Sequence, residues 1–331
     1  MSALIDRNRI AAAAPGVLIA FVIAAAAQFI SEHYGAPVML FALLIGMAFN
    51  FLSEPESKCA PGVEYASSRL LKIGVALLGV RVTVGQIASL GVAPIVMIPI
   101  LIGATIASGL LFAKIFNKSR AFGLVTGGAV AICGASAALA LSSVMPKSEE
   151  MRRDTIFTVV AVTTLSTLAM IFYPVVFSAF GLDDTKMGVL IGATIHDVAQ
   201  VVGAGYAVSE QAGDVATYVK LLRVACLPIV VIGFAFAFRN SGGREGSFVF
   251  PWFAVGFAVI LAANSVGLIP EVVRAAMDET SRWLLIAAIA ALGMKTSLKA
   301  MLDLGPRHIG VVLAETALLA GLSMAVVLML L

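Results

Sequence analysis

The chain has 331 residues, 60% hydrophobic and only 12% charged, with a mean hydropathy of +1.03. A soluble globular domain carries roughly 25% charged residues, so this composition excludes a protein wetted on all sides. The net charge of +3 is too small to argue for a nucleic-acid partner.

A bilayer core takes about 20 apolar residues per helical crossing, which leaves room for about ten or eleven crossings. Apolar runs bounded by charge, Gly or Pro predict spans at 10–30, 37–52, 69–90, 92–112, 122–144, 155–180, 187–208, 218–238, 251–266, 281–299 and 308–331. The run from Ile10 exceeds the 7–15 apolar residues of a signal peptide and reads as a retained first transmembrane helix. No polar stretch between the runs is long enough to fold separately, so 1–331 reads as one membrane domain. The fold class expected is an all-α integral membrane protein of about 11 transmembrane helices.

Basic residues in the connections set orientation. With the N-terminus inside, the inner segments hold Arg7, Arg9, Lys58, Arg69, Lys114, Lys118, Arg120, Lys186, Arg239, Arg244, Lys295, Lys299 and Arg307. The outer segments hold Arg81, Lys147, Arg152, Arg153, Lys220, Arg223, Arg274 and Arg282. The excess favours a cytoplasmic N-terminus and an external C-terminus, with loop 146–154 as the exception.

An internal repeat runs through this pattern. Sliding the chain by 214 residues aligns 37–91 with 251–305 without a gap, with eleven identities that include Pro37/Pro251, Asn50/Asn264, Ser67/Ser281, Gly79/Gly293, Leu90/Leu304 and Gly91/Gly305. Arg81 falls on Lys295 and Thr83 on Ser297. Seven spans separate the copies, so the two lie in opposite orientations, the architecture of many secondary transporters with a site where the copies meet.

Two glycine-rich spans carry the candidate site. Gly123, Gly127, Gly128 and Gly134 crowd one span, each costing about 1 kcal/mol relative to Ala in a helix interior. Gly123 and Gly127 suit close helix packing. Gly127-Gly128 and Cys133-Gly134-Ala-Ser136 suit an interruption whose free backbone groups bind a ligand. In the second span Thr194, His196, Asp197, Gln200 and Gly203 lie mid-run, where ionisable groups face a cavity or pathway. If that segment is helical, His196, Gln200 and Gly203 form one stripe. The alternative is a buried polar pair that fixes register. His196 and Asp197 are the candidate ion-coupling groups. Asn50 and Asn264 are read equally as ligand contacts or as partners of exposed carbonyls, and Arg81 and Lys295 as side chains snorkelling to opposite faces or, alternatively, as symmetry-related positive charge for an anion site. The Thr/Ser cluster Thr158, Thr163, Thr164, Ser166 and Thr167 reads as helix packing.

Cys59, Cys133 and Cys226 show neither CxxC nor histidine spacing, so no metal site or disulfide framework is expected, and no cofactor fingerprint occurs. An intramembrane enzyme using Cys133 or Ser136 with His196 is therefore disfavoured, and a non-enzyme is expected.

The Gly-Gly-Ala-Val-Ala-Ile-Cys133-Gly-Ala-Ser-Ala run, the Ile-Gly-Ala-Thr-Ile-His196-Asp197-Val-Ala-Gln200-Val-Val-Gly-Ala-Gly run and Leu78-Gly-Val-Arg81 resemble the YeiH family across essentially the whole chain. That bacterial group carries a sulfate-exporter label and is grouped with the cation/proton antiporter and bile-acid transporter superfamily. The resemblance implies inverted repeats, two crossing discontinuous helices in a core domain beside a panel domain, the bacterial inner membrane, and a homodimer. It also implies export of a small anion such as sulfate or another sulfur-containing acid, through partners limited to lipid and a small solute. The competing expectation keeps the fold but exchanges sodium or protons on Asp197.

Overall fold

The computed structural model describes residues 2–34, 37–89, 91–146, 148–238, 252–296 and 306–330. Lys147, Arg239, Arg244, Lys299, Pro251, Ser297, Leu90, Leu304 and Gly305, all invoked by the sequence reading, lie outside them, as do the side chains of Arg7, Arg9 and Arg307. The described residues are helical, with no strand among them. Five helices contain a stretch long and apolar enough to cross a bilayer: Ala12–Tyr34, Ala93–Ile115, Glu149–Ser178, Glu210–Phe238 and His308–Met329. The chain is a multi-pass membrane protein.

Contacts divide it into two compact units. The first, Met1–Ser89, Tyr206–Val208 and Trp252–Leu298, is built on α1 (Ser2–Tyr34), α2 (Val38–Ala48), α3 (Ala60–Tyr65), α4 (Leu71–Leu77), α5 (Val84–Ser89), α13 (Trp252–Ser265) and α14 (Glu271–Lys295). The run expected as one span at 69–90 is not one regular helix. A π turn over Ala66–Leu70 precedes α4, and a 3-10 turn over Leu78–Val80 follows it. Close backbone approach explains the glycines. A Cβ on Gly293 would collide with Leu43 O on α2, and one on Gly79 with Phe257 O on α13. Leu43 and Phe257, like Gly79 and Gly293, are 214 apart.

The polar contacts of this unit keep the same offset. Asn50 Nδ2 donates to Met294 O at 2.6 Å, and Asn264 Nδ2 donates to Val80 O at 2.8 Å. Arg81 pairs with Asp278, and Lys295 with Glu64. Arg81 and Lys295 are therefore ion-paired rather than simply extended toward the headgroups. Both asparagines satisfy carbonyls left open where their neighbours' helices tighten or end, the partners that helix termini need.

The second unit, Leu90–Gly205, Ser209–Pro251 and Lys299–Leu331, is built on α6 (Ala93–Ile115), α7 (Arg120–Ala131), α8 (Ala135–Val144), α9 (Glu149–Ser178), α10 (Asp184–Thr194), α11 (Val198–Val208) as far as Gly205, α12 (Glu210–Phe238) and α15 (Pro306–Leu330). Side-chain caps fix several starts: Ser119 Oγ accepts from Phe122 N, Ser148 Oγ from Met151 N, and Asp183 Oδ1 from Lys186 N. Because Ser148 caps α9, that helix begins six residues before the expected span, and Arg152 and Arg153 are helical rather than in a loop.

Small residues press two helix pairs together, the usual means of association between apolar helices. A Cβ on Gly109 of α6 would overlap Gly123 O of α7, and the reverse also holds. Gly188 and Gly192 of α10 lie against Ala212 and Ala216 of α12. α7, α8, α10 and α11 have 12, 10, 11 and 11 residues. At 1.5 Å per residue each is about half a bilayer core long. The functional residues gather where these short helices stop.

Candidate functional site

Two interruptions meet in the second unit. α7 ends at Ala131, Ile132 turns out of helical conformation (φ −114°, ψ −83°), and α8 starts after Gly134. Gly134 has φ 60° and ψ −123°, a region closed to residues with a Cβ. α10 ends at Thr194, and extended Ile195 and Asp197 lead into α11. The breaks are neighbours: a Cβ on Gly134 would lie 3.6 Å from His196 Cβ.

Each break exposes the last carbonyls of one helix and the first N–H groups of the next. The carbonyl side is closed by two cations on α12, one turn apart. Lys220 Nζ donates to Ile132 O at 2.6 Å, Ile195 O at 3.0 Å and His196 O at 2.5 Å. Arg223 donates through Nε to Ala131 O, through Nη1 to Gly192 O and Ile195 O, and through Nη2 to Val130 O, all at 2.7–3.0 Å. Both are almost wholly buried, at 0% and 1% exposure. They were read from sequence as loop charges that report orientation. They lie instead inside α12, which starts at Glu210, eight residues before the expected span. The signal available was their i, i+3 spacing beside an apolar run.

The N–H side is more open. Gly134 offers α8 no side-chain cap. Asp197, half-buried, caps α11 by accepting from Val198 N at 2.7 Å, and its own N–H donates to Ser166 Oγ at 3.0 Å. Gln200 Nε2 donates to Thr167 Oγ1 at 3.3 Å. His196 Nε2 lies 3.0 Å from Thr316 Oγ1 on α15. Gln200 Oε1 is buried with no hydrogen-bond partner.

The other sequence candidates fall as follows. His196 lies in the link rather than on α11, so the expected stripe is reduced to Gln200 and Gly203, and a Cβ on Gly203 would strike Met170 of α9. Gly127 and Gly128 are inside α7, where a Cβ would press on Thr105 O of α6 and on Leu141 of α8. Cys133 is buried beside the first break and Ser136 is exposed on the first turn of α8. Thr194 bonds back to Leu190 O within α10. Asn50 and Asn264 belong to the other unit, each engaged with a carbonyl. No group of three or more His, Cys, Asp or Glu side chains that could hold a metal occurs among the described residues.

One ionisable residue escaped the sequence reading. Glu315 lies on α15 with no exposed surface, and its Oε1 accepts from Thr126 Oγ1 at 2.7 Å. A lone acid inside the apolar run at 308–331 was the signal.

The family described as "Conserved hypothetical protein 698" matches residues 15–312. A UPF0324 membrane protein of Chlorobaculum tepidum is 52% identical over 92% of this chain and 87% of its own length. The UPF0324 membrane protein TauZ of Paracoccus denitrificans is 47% identical over 95% of each chain. A UPF0324 membrane protein of Bacillus cereus is 32% identical over 88% of this chain and 87% of its own length. No solved structure matches.

Proposed function

The chain belongs to the UPF0324 family of membrane proteins, and we propose that it is a secondary transporter of a small anion, with sulfate and related sulfur oxyanions as the substrate class. The observation that carries this reading is the polarity of the double break. Lys220 and Arg223 consume the carbonyl ends of α7 and α10, which leaves the uncapped N–H end of α8, and the N–H groups of α11 beyond the one that Asp197 takes, to face a solute.

Charge bookkeeping at the breaks favours an anion. Two cations are opposed by Asp197 and by two helix C-termini worth about −0.5 each, and the two helix N-termini then add about +0.5 each. The balance is about +1 for neutral His196. An oxyanion would take first-turn N–H groups of α8 and α11, as anions do at other helix N-termini, with the Ser136 hydroxyl, Gln200 Nε2 turned from Thr167 and a protonated His196 as side-chain donors. Gln200 Oε1, buried without a partner, is an acceptor and calls for a water or a protonated oxygen of the solute.

The architecture supports transport rather than catalysis. Counting α3–α5, α7–α8 and α10–α11 as one crossing each gives eleven crossings, with the breaks near the midplane, where transporters place their sites. Contacts that repeat at 214 residues in the first unit support two inverted halves. The basic-residue count supports an N-terminus inside.

A second reading, sodium or proton exchange on Asp197, has one observation in its favour: this carboxylate is the half-buried charge at the break. The two readings separate in thermal stabilisation of detergent-purified protein by sulfate, a sulfonate, a carboxylate and sodium chloride. Phosphate serves as a control for general salting effects. The anion reading expects sulfate or the sulfonate to stabilise the wild type, to do so more strongly in Asp197→Asn, and to have no effect in Gln200→Leu. Stabilisation by sodium alone, abolished in Asp197→Asn, would replace it with the exchanger.

A further inference from the structure

Glu315 is a buried acid that the anion site does not use. Its Oε1 accepts from Thr126 Oγ1, and its Oε2 has no hydrogen-bond partner. Among the described residues no basic side chain pairs with it. Its immediate surroundings are the backbone of α6 and α7: a Cβ added at Gly109 would come within 2.8 Å of its Oε1.

The ionisable groups on the helices around it stand off toward helix ends: Lys114 on α6, Arg120 on α7, Asp154 on α9, Asp184 and Lys186 on α10, and His308 on α15 itself. Lys114 is five residues beyond Gly109 and Arg120 six before Thr126, roughly 7–9 Å of helix rise. The exception is His196, whose Nε2 lies 3.0 Å from the hydroxyl of Thr316, the next residue along α15.

The Thr126 contact tolerates either protonation state. Its hydroxyl is also 3.1 Å from Phe122 O and 3.3 Å from Gly123 O. Facing a carboxylate, it donates to Oε1. Facing the neutral acid, it turns its proton to Phe122 O and accepts from the carboxyl. A buried carboxylate with one hydroxyl for company is costly, so the arrangement described here suits the neutral acid, and ionisation requires water or a cation to arrive.

The geometry points to Glu315 as the proton-binding carboxyl that couples solute movement at the neighbouring breaks to a proton gradient, a role that rests on the transporter reading above. One O–H bond forms when Glu315 takes a proton from one aqueous face and breaks when it is released to the other. Thr316, holding His196, ties the carboxyl's helix to the link that opens the solute site.

Two measurements test this. In lipid-reconstituted wild type, pH-difference infrared spectra should show the C=O band of a carboxyl gaining a proton, absent in Glu315→Gln and displaced in Thr126→Val. In proteoliposomes, the ratio of radiolabelled sulfate uptake with and without an imposed pH gradient should exceed one for wild type and fall to unity in Glu315→Gln. A gradient response that survives in Glu315→Gln overturns the inference, as does a wild-type spectrum with no titrating band that this variant removes. A band that titrates without any sulfate uptake sustains Glu315 as a proton site and sinks the sulfate reading instead.

Discussion

Lys220→Met is the sharpest perturbation of the double break. The side chain keeps its length and apolar stem but loses the ammonium that three carbonyls share, those of Ile132, Ile195 and His196. Hydrogen bonds to charged groups contribute about 1.5–3 kcal/mol each. The sum overstates the loss, because the variant no longer buries an ammonium. Ile195 O keeps Arg223, so the variant orphans the carbonyls of Ile132 and His196, at about 1–3 kcal/mol each. An exposed pair gives the contrast: Arg152, 64% exposed and paired with Glu149, should cost no more than about 1 kcal/mol on replacement by Met. Equilibrium unfolding in mixed micelles, reading the helical signal against denaturing detergent, measures both. If Lys220→Met unfolds within about 0.5 kcal/mol of wild type, the carbonyl clamp is not holding the breaks and the reasoning fails.

Asn50→Ala and Asn264→Ala should each destabilise by about 1–3 kcal/mol, since each leaves a carbonyl without its donor. The same unfolding assay should find the two costs alike, and a cost for only one would undo the equivalence of the Met294 and Val80 contacts. Gly134→Ala forces a Cβ into φ 60°, ψ −123°, for about 1–3 kcal/mol, and should lower the melting temperature. Gly103→Ala on α6, where a Cβ meets nothing within 4 Å, should leave the melting temperature unchanged or raised. Arg223→Lys keeps the charge but loses the fork that reaches four carbonyls, and should lower the melting temperature despite being conservative.

Helix interruption was legible because its cause is local. Gly134 and the His196-Asp197 pair are poor continuations of an apolar helix, and the chain breaks beside both. The position of His196 was misjudged because a periodic stripe presumes an unbroken helix, and Asp197 ends that presumption by capping the next one. Lys220 and Arg223 were hidden by a long-range effect: a basic residue near a span's edge reads as a loop charge until the carbonyls of two other helices are brought to it. Glu315 was hidden by averaging, since one acid barely lowers the hydropathy of a 25-residue apolar helix. In the first unit, identities 214 apart already singled out Asn50 and Asn264. That their acceptors, Met294 and Val80, are also 214 apart needed three dimensions.

On the proposed function, the N–H ends of α8 and α11, with Gln200 on the first turn of α11, hold a sulfur oxyanion on its way across the membrane. The direct measurement is counterflow of radiolabelled sulfate into proteoliposomes preloaded with unlabelled sulfate, for wild type and Gln200→Leu. The account predicts saturable accumulation by wild type and none by Gln200→Leu. Wild-type uptake no faster than protein-free liposomes, with sulfonates equally inert, would contradict it.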